Sequence, residues 1–197
     1  MVTPESIQLN PGSHTERLDL DAIYGRHAPV ELDIGCGDGR FLVARAAAQP
    51  DRNFLGTERL LGRVRTVCRR AARAGLSNAR VFRIESAYAI RYLIPSASVA
   101  AAHLLFPDPW PKRRHHPRRI FDAAFASALC DALEPGATFF VKTDDPGYFA
   151  AICKVAAQES RFASDPSLFG DDYPITGFER HYLAQGRPVH SARFRRV

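Results

Sequence analysis

The architecture of this chain follows from residues 30–39, which read Val-Glu-Leu-Asp-Ile-Gly-Cys-Gly-Asp-Gly. The apolar residues of 30–34 predict a short strand, and the glycines after it predict a tight turn. Apolar positions then follow at helical spacing from Phe41 to Ala48, and Pro50 ends that helix. This order is typical of a nucleotide-binding α/β unit, in which the helix N-terminus favours anionic groups. Strand-to-helix turns also use glycine for steric reasons alone, so the turn needs support from elsewhere.

Support for a cofactor site comes from the next predicted strand, residues 53–57, which ends at Glu58. An acid about twenty residues after such a turn, at the tip of the second strand, is where ribose hydroxyls are bound in these folds. We therefore expect Gly35, Gly37 and Glu58 to bind a cofactor. Asp33, at the end of the first strand, fits two roles: it can accept a bond from an ammonium group of the cofactor, or cap the glycine turn.

The rest of the chain continues the alternation of strands and helices. Apolar spacing predicts helices over 60–74, 120–133 and 147–159, a short helix ending at 93, and strands over 78–84, 99–106 and 138–142. We expect Ser86 or Glu85, at the tip of the third strand, to contact adenine. Residues 1–28 predict an irregular arm with one helical turn near 19–24, and residues 134–136 a turn. Residues 161–163 predict the start of a further strand, residues 168–180 a loop and residues 191–196 an edge strand.

A stiff, basic segment follows the predicted fourth strand. Residues 107–119 read Pro-Asp-Pro-Trp-Pro-Lys-Arg-Arg-His-His-Pro-Arg-Arg. The alternating prolines prevent helix formation and further strand pairing, so Asp108 is held where the chain leaves the sheet. Many basic runs are only solvated surface, but the fixed exit favours a surface that faces a polyanion. Its cations are Lys112, Arg113, Arg114, Arg118 and Arg119.

Composition narrows the class of protein. The 197 residues carry a formal net charge of +6, which favours nucleic acid or another anionic partner. We expect a cytoplasmic protein without a membrane partner, because no apolar stretch approaches the length of a membrane span and the N-terminus lacks the core of a signal peptide. The four cysteines are widely spaced without a Cys-x-x-Cys pair, which argues against a bound metal and against a disulfide framework. The cysteines are expected to be buried or half-buried thiols.

With these motifs laid out, the sequence resembles the bacterial tRNA (guanine-N7-)-methyltransferase family. Residues 107–115 with Arg118 and Arg119 carry the resemblance, and residues 34–39, 56–58, 143–144 and 176–180 support it in the family's order. The likeness covers residues 30–196. It implies a Rossmann-like class I methyltransferase fold, which is α/β with a mostly parallel seven-stranded sheet and helices on both faces, in a single domain over residues 1–197.

The resemblance also implies an activity and its residues. The activity is S-adenosyl-L-methionine-dependent methyl transfer to N7 of a guanine in the tRNA variable loop. The cofactor is expected at Asp33, Glu58, Ser86 and Asp108, and the substrate at Lys112, Asp144, Thr176, Gly177, Phe178 and Glu179. The sequence differs from the family at Asp33, where Glu is usual, at Ser86, where Asp is usual, and at residues 181–182, where Arg-Gly is usual.

The expected chemistry depends on positioning. Guanine N7 keeps a free lone pair, so an in-line displacement needs no general base and alignment lowers the barrier. We assign to Asp108 the stabilisation of the positive charge that develops on the purine, to Asp144 the N1 and N2 donors of guanine, and to the basic residues the tRNA phosphates. Two alternatives stay open: an NAD-dependent oxidoreductase and a non-catalytic RNA-binding module on a Rossmann-like fold. The sequence leaves open whether the protein is a monomer or a homodimer.

Overall fold

A computed structural model describes residues 2–167 and 173–197 of the protein. The strands are β1 (Gln8–Leu9), β2 (Val30–Ile34), β3 (Asn53–Glu58), β4 (Ala79–Arg83), β5 (Val99–Leu105), β6 (Leu133–Thr143), β7 (Phe162–Asp165) and β8 (His190–Arg196). They form one eight-stranded sheet in the order β1-β4-β3-β2-β5-β6-β8-β7. Among the strands of the described residues only the pairs β6·β8 and β7·β8 are antiparallel, so the expected mostly parallel sheet is confirmed.

Helices cover both faces of this sheet, as expected. They are α1 (Pro4–Ile7), α2 (Leu20–Tyr24), α3 (Arg40–Ala48), α4 (Leu61–Arg73), α5 (Ser86–Tyr88), α6 (Ala123–Ala132), α7 (Pro146–Gln158) and α8 (Gly177–Ala184). A π-helical turn (Ala89–Leu93) follows α5, and a 3₁₀ helix (Arg113–Arg118) precedes α6. Side chains alternate across each strand, so Leu32 and Leu55 pack in the core under α6 and α7, whereas Phe54 and Val81 pack in the core under α3 and α4. Among the described residues no helix is long and apolar enough to cross a bilayer.

The sheet has one strand more than expected, because part of the N-terminal arm is ordered on it. Residues Gln8 and Leu9 pair in parallel with Val81 and Phe82 at the edge of β4, and α1 precedes them. Ile7 is fully buried against α4. The prediction of an irregular arm over 1–28 was therefore wrong at 4–9, since a two-residue strand has no periodicity and is stabilised only by the strand that it pairs with. The helical turn predicted near 19–24 is confirmed as α2.

Three further predictions are corrected in the C-terminal half. Residues 134–136 are not a turn between helix and strand but lie inside β6, where the register with β5 shifts. Residues 176–180 are not a loop, because Gly177 begins helix α8. The last strand is not at the edge of the sheet, because it pairs with β6 on one side and β7 on the other. The part of the predicted loop at 168–172 lies outside the described residues.

The order of the strands places the functional edge. The connections from β2 run one way through β3 and β4, whereas β5 lies on the other side of β2, with His103 in register with Asp33. In open α/β sheets ligands bind at the carboxyl ends of the strands beside such a reversal. The ends of β2, β3, β4 and β5 therefore bring their following residues to one edge.

The cysteines agree with their predicted state. The thiols of Cys36, Cys68 and Cys130 are buried, that of Cys153 is half-buried, and all four are free.

Candidate active site

The glycine turn after β2 has a backbone that only glycine adopts easily. Gly35, Gly37 and Gly39 have φ values of 72°, 57° and 75°, in the left-handed region. At Gly39, which caps α3, a Cβ atom would lie 2.7 Å from Cγ2 of Val67 on α4. The turn therefore brings backbone close to the edge of the sheet and lets α3 and α4 pack tightly.

Two adjoining cavities open around this turn, with volumes of about 670 Å³ and 600 Å³. We name them the Asp33 cavity and the Asp108 cavity after an acid that lines each of them. Both volumes fall in the range of small-molecule sites. The two cavities are parts of one cleft, since they share five lining residues, Gly35, Gly37, Arg63, Leu105 and Phe178.

Asp33 brings an uncompensated carboxyl group to the Asp33 cavity. Its side chain is buried, and its Oδ2 atom has no hydrogen-bond partner among the described residues. Burial, with a smaller contribution from the charge of Glu58, raises the pKa of Asp33 to about 7. A buried carboxylate without a partner is costly, so this side chain favours a ligand with a cationic group at this place.

Glu58 and Ser86 line the Asp108 cavity from the ends of β3 and β4. Oε1 of Glu58 accepts a bond of 2.8 Å from the backbone N–H of Leu60, and Oε2 lies 3.6 Å from Nη1 of Arg63. The hydroxyl of Ser86 lies 2.8 Å from that of Thr57, which accepts a bond of 3.2 Å from the N–H of Gly35. These bonds tie three strand ends together and fix the floor of the cavity.

Asp108 lies at the rim of the same cavity as Gly35, Gly37, Glu58 and Ser86, with its side chain exposed. The chain leaves β5 as the prolines predict, and Phe106 and Trp110 adopt positive φ values of 53° and 45° on either side of Asp108. Such strain in bulky residues is a feature of functional sites. The proline-rich exit thus directs an acid over the cleft.

The predicted phosphate contacts fall into two groups. Lys112, Arg113, Arg114 and Arg118 are exposed at or on the 3₁₀ helix, and Arg118 also lines the Asp108 cavity, 4.9 Å from the centre of the Trp110 ring. Arg119 is half-buried and donates a bond of 2.8 Å to the carbonyl of Pro109, while its guanidinium lies 4.6 Å from the centre of the Tyr148 ring. Arg119 therefore also holds the proline-rich exit in place.

Residues 176–184, which we call the C-terminal segment, form one wall of the Asp33 cavity. Thr176, Gly177 and Phe178 line it, and the hydroxyl of Thr176 accepts a bond of 3.0 Å from the N–H of Glu179, which starts α8. The spacing Thr-x-x-Glu is a helix-start signal that was available in the sequence. Asp144 follows β6 at the same edge but pairs with Arg187 and lines neither cavity.

Glu179 is buried rather than open to the cleft. Its Oε1 atom pairs with Nζ of Lys142 at 2.7 Å, and its Oε2 atom has no hydrogen-bond partner among the described residues. Lys142 belongs to β6. This buried ion pair fixes the first turn of α8 to the sheet.

Sequence reasoning missed a buried polar network beneath this segment. The ring of His103, in β5, has two polar neighbours. Its Nε2 atom lies 2.9 Å from Glu31, and its Nδ1 atom lies 2.9 Å from the hydroxyl of Tyr173. Glu31 also accepts bonds of 3.0 Å and 3.3 Å from Arg45 and lies 3.3 Å from Arg52. Burial opposes ionisation of Glu31, but its bonds to His103 and Arg45 outweigh that and lower its pKa to about 2. The available signal was the presence of Glu31 and His103 inside mostly apolar strands.

Two arginines of α4 have acidic partners beside the cleft. Arg63 lines both cavities beside Glu58, and Nη2 of Arg70 lies 3.3 Å from Asp38 in the glycine turn. Helical spacing shows that these arginines lie off the apolar face of α4, but it does not identify their partners, which depend on how α4 packs.

Comparison with known proteins finds similar methyltransferases. The family model described as "Putative methyltransferase" matches residues 27–192. A tRNA (guanine-N(7)-)-methyltransferase of Halorhodospira halophila is 39% identical over 183 residues, which cover 90% of this chain and 79% of the relative. A protein of the same name from Cutibacterium acnes is 36% identical over 98% of this chain and 71% of the relative.

Solved structures show the same fold at lower identity. The 16S rRNA methyltransferase KamB aligns with a TM-score of 0.66 at 18% identity, over 92% of this chain and 94% of that one. The antibiotic-resistance methyltransferase Kmr aligns with a TM-score of 0.61 at 22% identity, over 95% and 94% of the two chains. The Rossmann-like class I methyltransferase fold is thereby confirmed. The curated relatives go further than the fold: this chain belongs to the tRNA (guanine-N7-)-methyltransferase family.

Proposed function

We propose that this protein methylates N7 of a guanine in the tRNA variable loop, with S-adenosyl-L-methionine as its cofactor. The observation that carries the proposal is the cleft in which Asp33, the glycine turn and Asp108 meet. A pocket with a buried acid, an exposed acid and a basic rim suits a cationic small molecule beside an anionic polymer. Curated relatives named tRNA (guanine-N(7)-)-methyltransferase share at least a third of their aligned residues with this chain.

The residues of the cleft fit S-adenosylmethionine. The unpartnered Oδ2 atom of Asp33 suits the ammonium group of the amino acid part, and the carboxylate of Glu58 suits the ribose hydroxyls. Gly35 and Gly37 let backbone approach the ligand, and Ser86 lines the cavity beside Glu58. When bound, S-adenosylmethionine supplies an electrophilic methyl group on a sulfonium.

Asp108 is the proposed catalytic residue. Guanine N7 has a free lone pair, so no side chain has to remove a proton. The protein has to hold the base at a fixed distance and angle, which can contribute on the order of 7–11 kcal/mol to lowering the barrier. A carboxylate at the rim stabilises the positive charge that the purine acquires.

RNA binding is assigned to the basic rim and the C-terminal segment. Lys112 holds the substrate and, with Arg113, Arg114, Arg118 and Arg119, contacts phosphates. Thr176, Gly177 and Phe178 contact the nucleotide from α8, and the exposed ring of Phe178 is suited to stacking. Glu179 supports the substrate site from beneath, because its ion pair with Lys142 holds the first turn of α8. Asp144, at the same edge of the sheet, is assigned to the donors of guanine, which requires it to exchange its partner Arg187 for the base. We also propose that residues 1–197 act as one domain and that the reaction takes place in the cytoplasm.

The test is incubation with labelled S-adenosylmethionine and bulk tRNA, followed by strand scission specific for 7-methylguanine. We expect label in tRNA and scission in the variable loop; unlabelled tRNA would refute the proposal. Thermal shift separates the other functions, because S-adenosylhomocysteine should stabilise the protein and NAD should not. A non-catalytic RNA-binding module would bind tRNA without methylating it, and its binding would survive the substitution Glu58→Ala.

A further inference from the structure

Helix α4 carries an unbalanced charge. Its 13 residues read LGRVRTVCRRAAR, with five arginines and no acid. Arg63 and Arg70 have partners at the cleft, Glu58 and Asp38. The other three arginines are Arg65, Arg69 and Arg73, whose side chains are exposed.

These three arginines form a line on one face of the helix, which we call the α4 arginine stripe. They stand four residues apart, so each lies about 6 Å further along the axis than the last. The opposite face carries the buried residues Val64, Val67, Cys68 and Ala71. Within the described ranges none of the three has an ion pair, and Arg69 donates a bond of 3.2 Å to the hydroxyl of Thr66. Like charges at this spacing disfavour a helix in isolation.

The stripe lies on the helix that borders the cleft. Arg63 lines both cavities from the first turn of α4, and the helix runs from there away from the carboxyl edge of the sheet. A small anion needs donors that converge on one point, whereas a straight row of guanidinium groups suits an extended polyanion. A polymer that extends from the cleft along the exposed face of α4 would lie against the stripe.

We propose that Arg65, Arg69 and Arg73 are a second RNA-contact surface, which binds phosphates of the tRNA away from the guanine that is modified. This inference rests on the proposed function, since it takes tRNA as the polymer in the cleft. The stripe adds phosphate contacts from α4, separate from those of the basic rim around Asp108. Two separated contact surfaces orient the tRNA as well as hold it.

The experiment measures the salt dependence of tRNA affinity between about 50 and 200 mM salt. The variant Arg65→Gln/Arg69→Gln/Arg73→Gln removes the charges. The charge-retaining variant Arg65→Lys/Arg69→Lys/Arg73→Lys separates charge from structure. The control Lys154→Gln removes an exposed cation from α7, at the other end of the sheet. Thermal midpoint and S-adenosylhomocysteine binding establish that each variant is folded.

We expect the slope of log affinity against log salt to fall by about 2 to 3 in the Gln variant, because each lost phosphate contact removes about 0.7 to 0.9. The affinity itself should fall at least roughly tenfold at about 0.1 M salt. The Lys variant should keep most of the slope, and Lys154→Gln all of it. A Gln variant with the slope of the wild type would overturn the inference, as would a loss of anionic-vesicle binding with unchanged tRNA binding.

The proposed function fails by a different result. If the wild type binds tRNA but transfers no methyl group, the enzyme assignment is refuted while the stripe is still judged by its slope. If the wild type binds no tRNA, both are refuted.

Discussion

The hydroxyl of Tyr173 lies 2.9 Å from Nδ1 of His103, inside the protein. Glu31 is ionised and faces Nε2 of the same ring, so Nε2 carries the proton and the Tyr173 hydroxyl donates to Nδ1. Burial lowers the pKa of His103, although its bond to Glu31 opposes this, which keeps the ring neutral. Tyr173 thereby anchors one end of the segment 173–179, and the bond from Lys142 to Glu179 anchors the other end. The cleft residues Thr176, Gly177 and Phe178 lie between these two contacts.

The substitution Tyr173→Phe tests this anchor. It leaves Nδ1 of His103 without a donor, and the free energy of unfolding should fall by about 1–3 kcal/mol. Tyr24→Phe is the matched control, since the hydroxyl of Tyr24 donates to the carbonyl of Phe54, remote from the segment. Both variants should lose stability in urea denaturation, but only Tyr173→Phe should raise KM for tRNA. Equal kinetics in the two variants would contradict the positioning role.

Cofactor binding should depend on the protonation of Asp33. Its pKa of about 7 means that the free protein carries a neutral carboxyl below that pH, and the carboxyl has to lose a proton before it pairs with an ammonium group. Affinity for S-adenosylhomocysteine should therefore rise with pH, by up to about tenfold per unit, and level off above about 7. Calorimetry across this range measures the profile. The Asp33→Asn variant should bind S-adenosylhomocysteine weakly at every pH. If its pH profile matched that of the wild type, Asp33 would not be the group whose titration controls cofactor binding.

Asp108→Asn should separate catalysis from binding. The amide keeps the shape of the side chain but removes the charge, so kcat should fall by about 10²-fold while the Kd for tRNA changes little. The control is Asp51→Asn, an exposed acid in the turn between α3 and β3, which should leave both values unchanged. Single-turnover methylation and filter binding give the two numbers. Equal losses in turnover and binding would refute the assignment.

Two glycines should respond to alanine in opposite ways. Gly39→Ala places a methyl group 2.7 Å from Val67 in a left-handed backbone, and we expect a loss of about 2–4 kcal/mol of stability. At Gly62, in the first turn of α4, an added Cβ atom would have no other atom within 4 Å. Gly62→Ala should therefore raise the free energy of unfolding by about 0.4–1 kcal/mol. Urea denaturation measures both. A neutral Gly39→Ala would mean that the turn is not tightly packed.

The sequence by itself determined the features that depend on neighbours in the chain. Short runs rich in apolar residues predicted β2 and β3. Left-handed backbone required the glycines at 35 and 37, and proline geometry sent residue 108 out of the sheet. Because strand ends of a parallel sheet share one edge, even the meeting of Asp33, Glu58 and Asp108 followed from this local information.

Only the tertiary structure decided which distant side chains pair. Tyr173 and His103 are 70 residues apart, and Lys142 and Glu179 are 37 apart. The strand β1 forms because it pairs with the edge of β4. Arg63 and Arg70 pair with Glu58 and Asp38 because α4 packs beside these acids. Local periodicity states which face of an element is buried, but the partner of a polar group depends on the arrangement of whole elements, which no short stretch encodes.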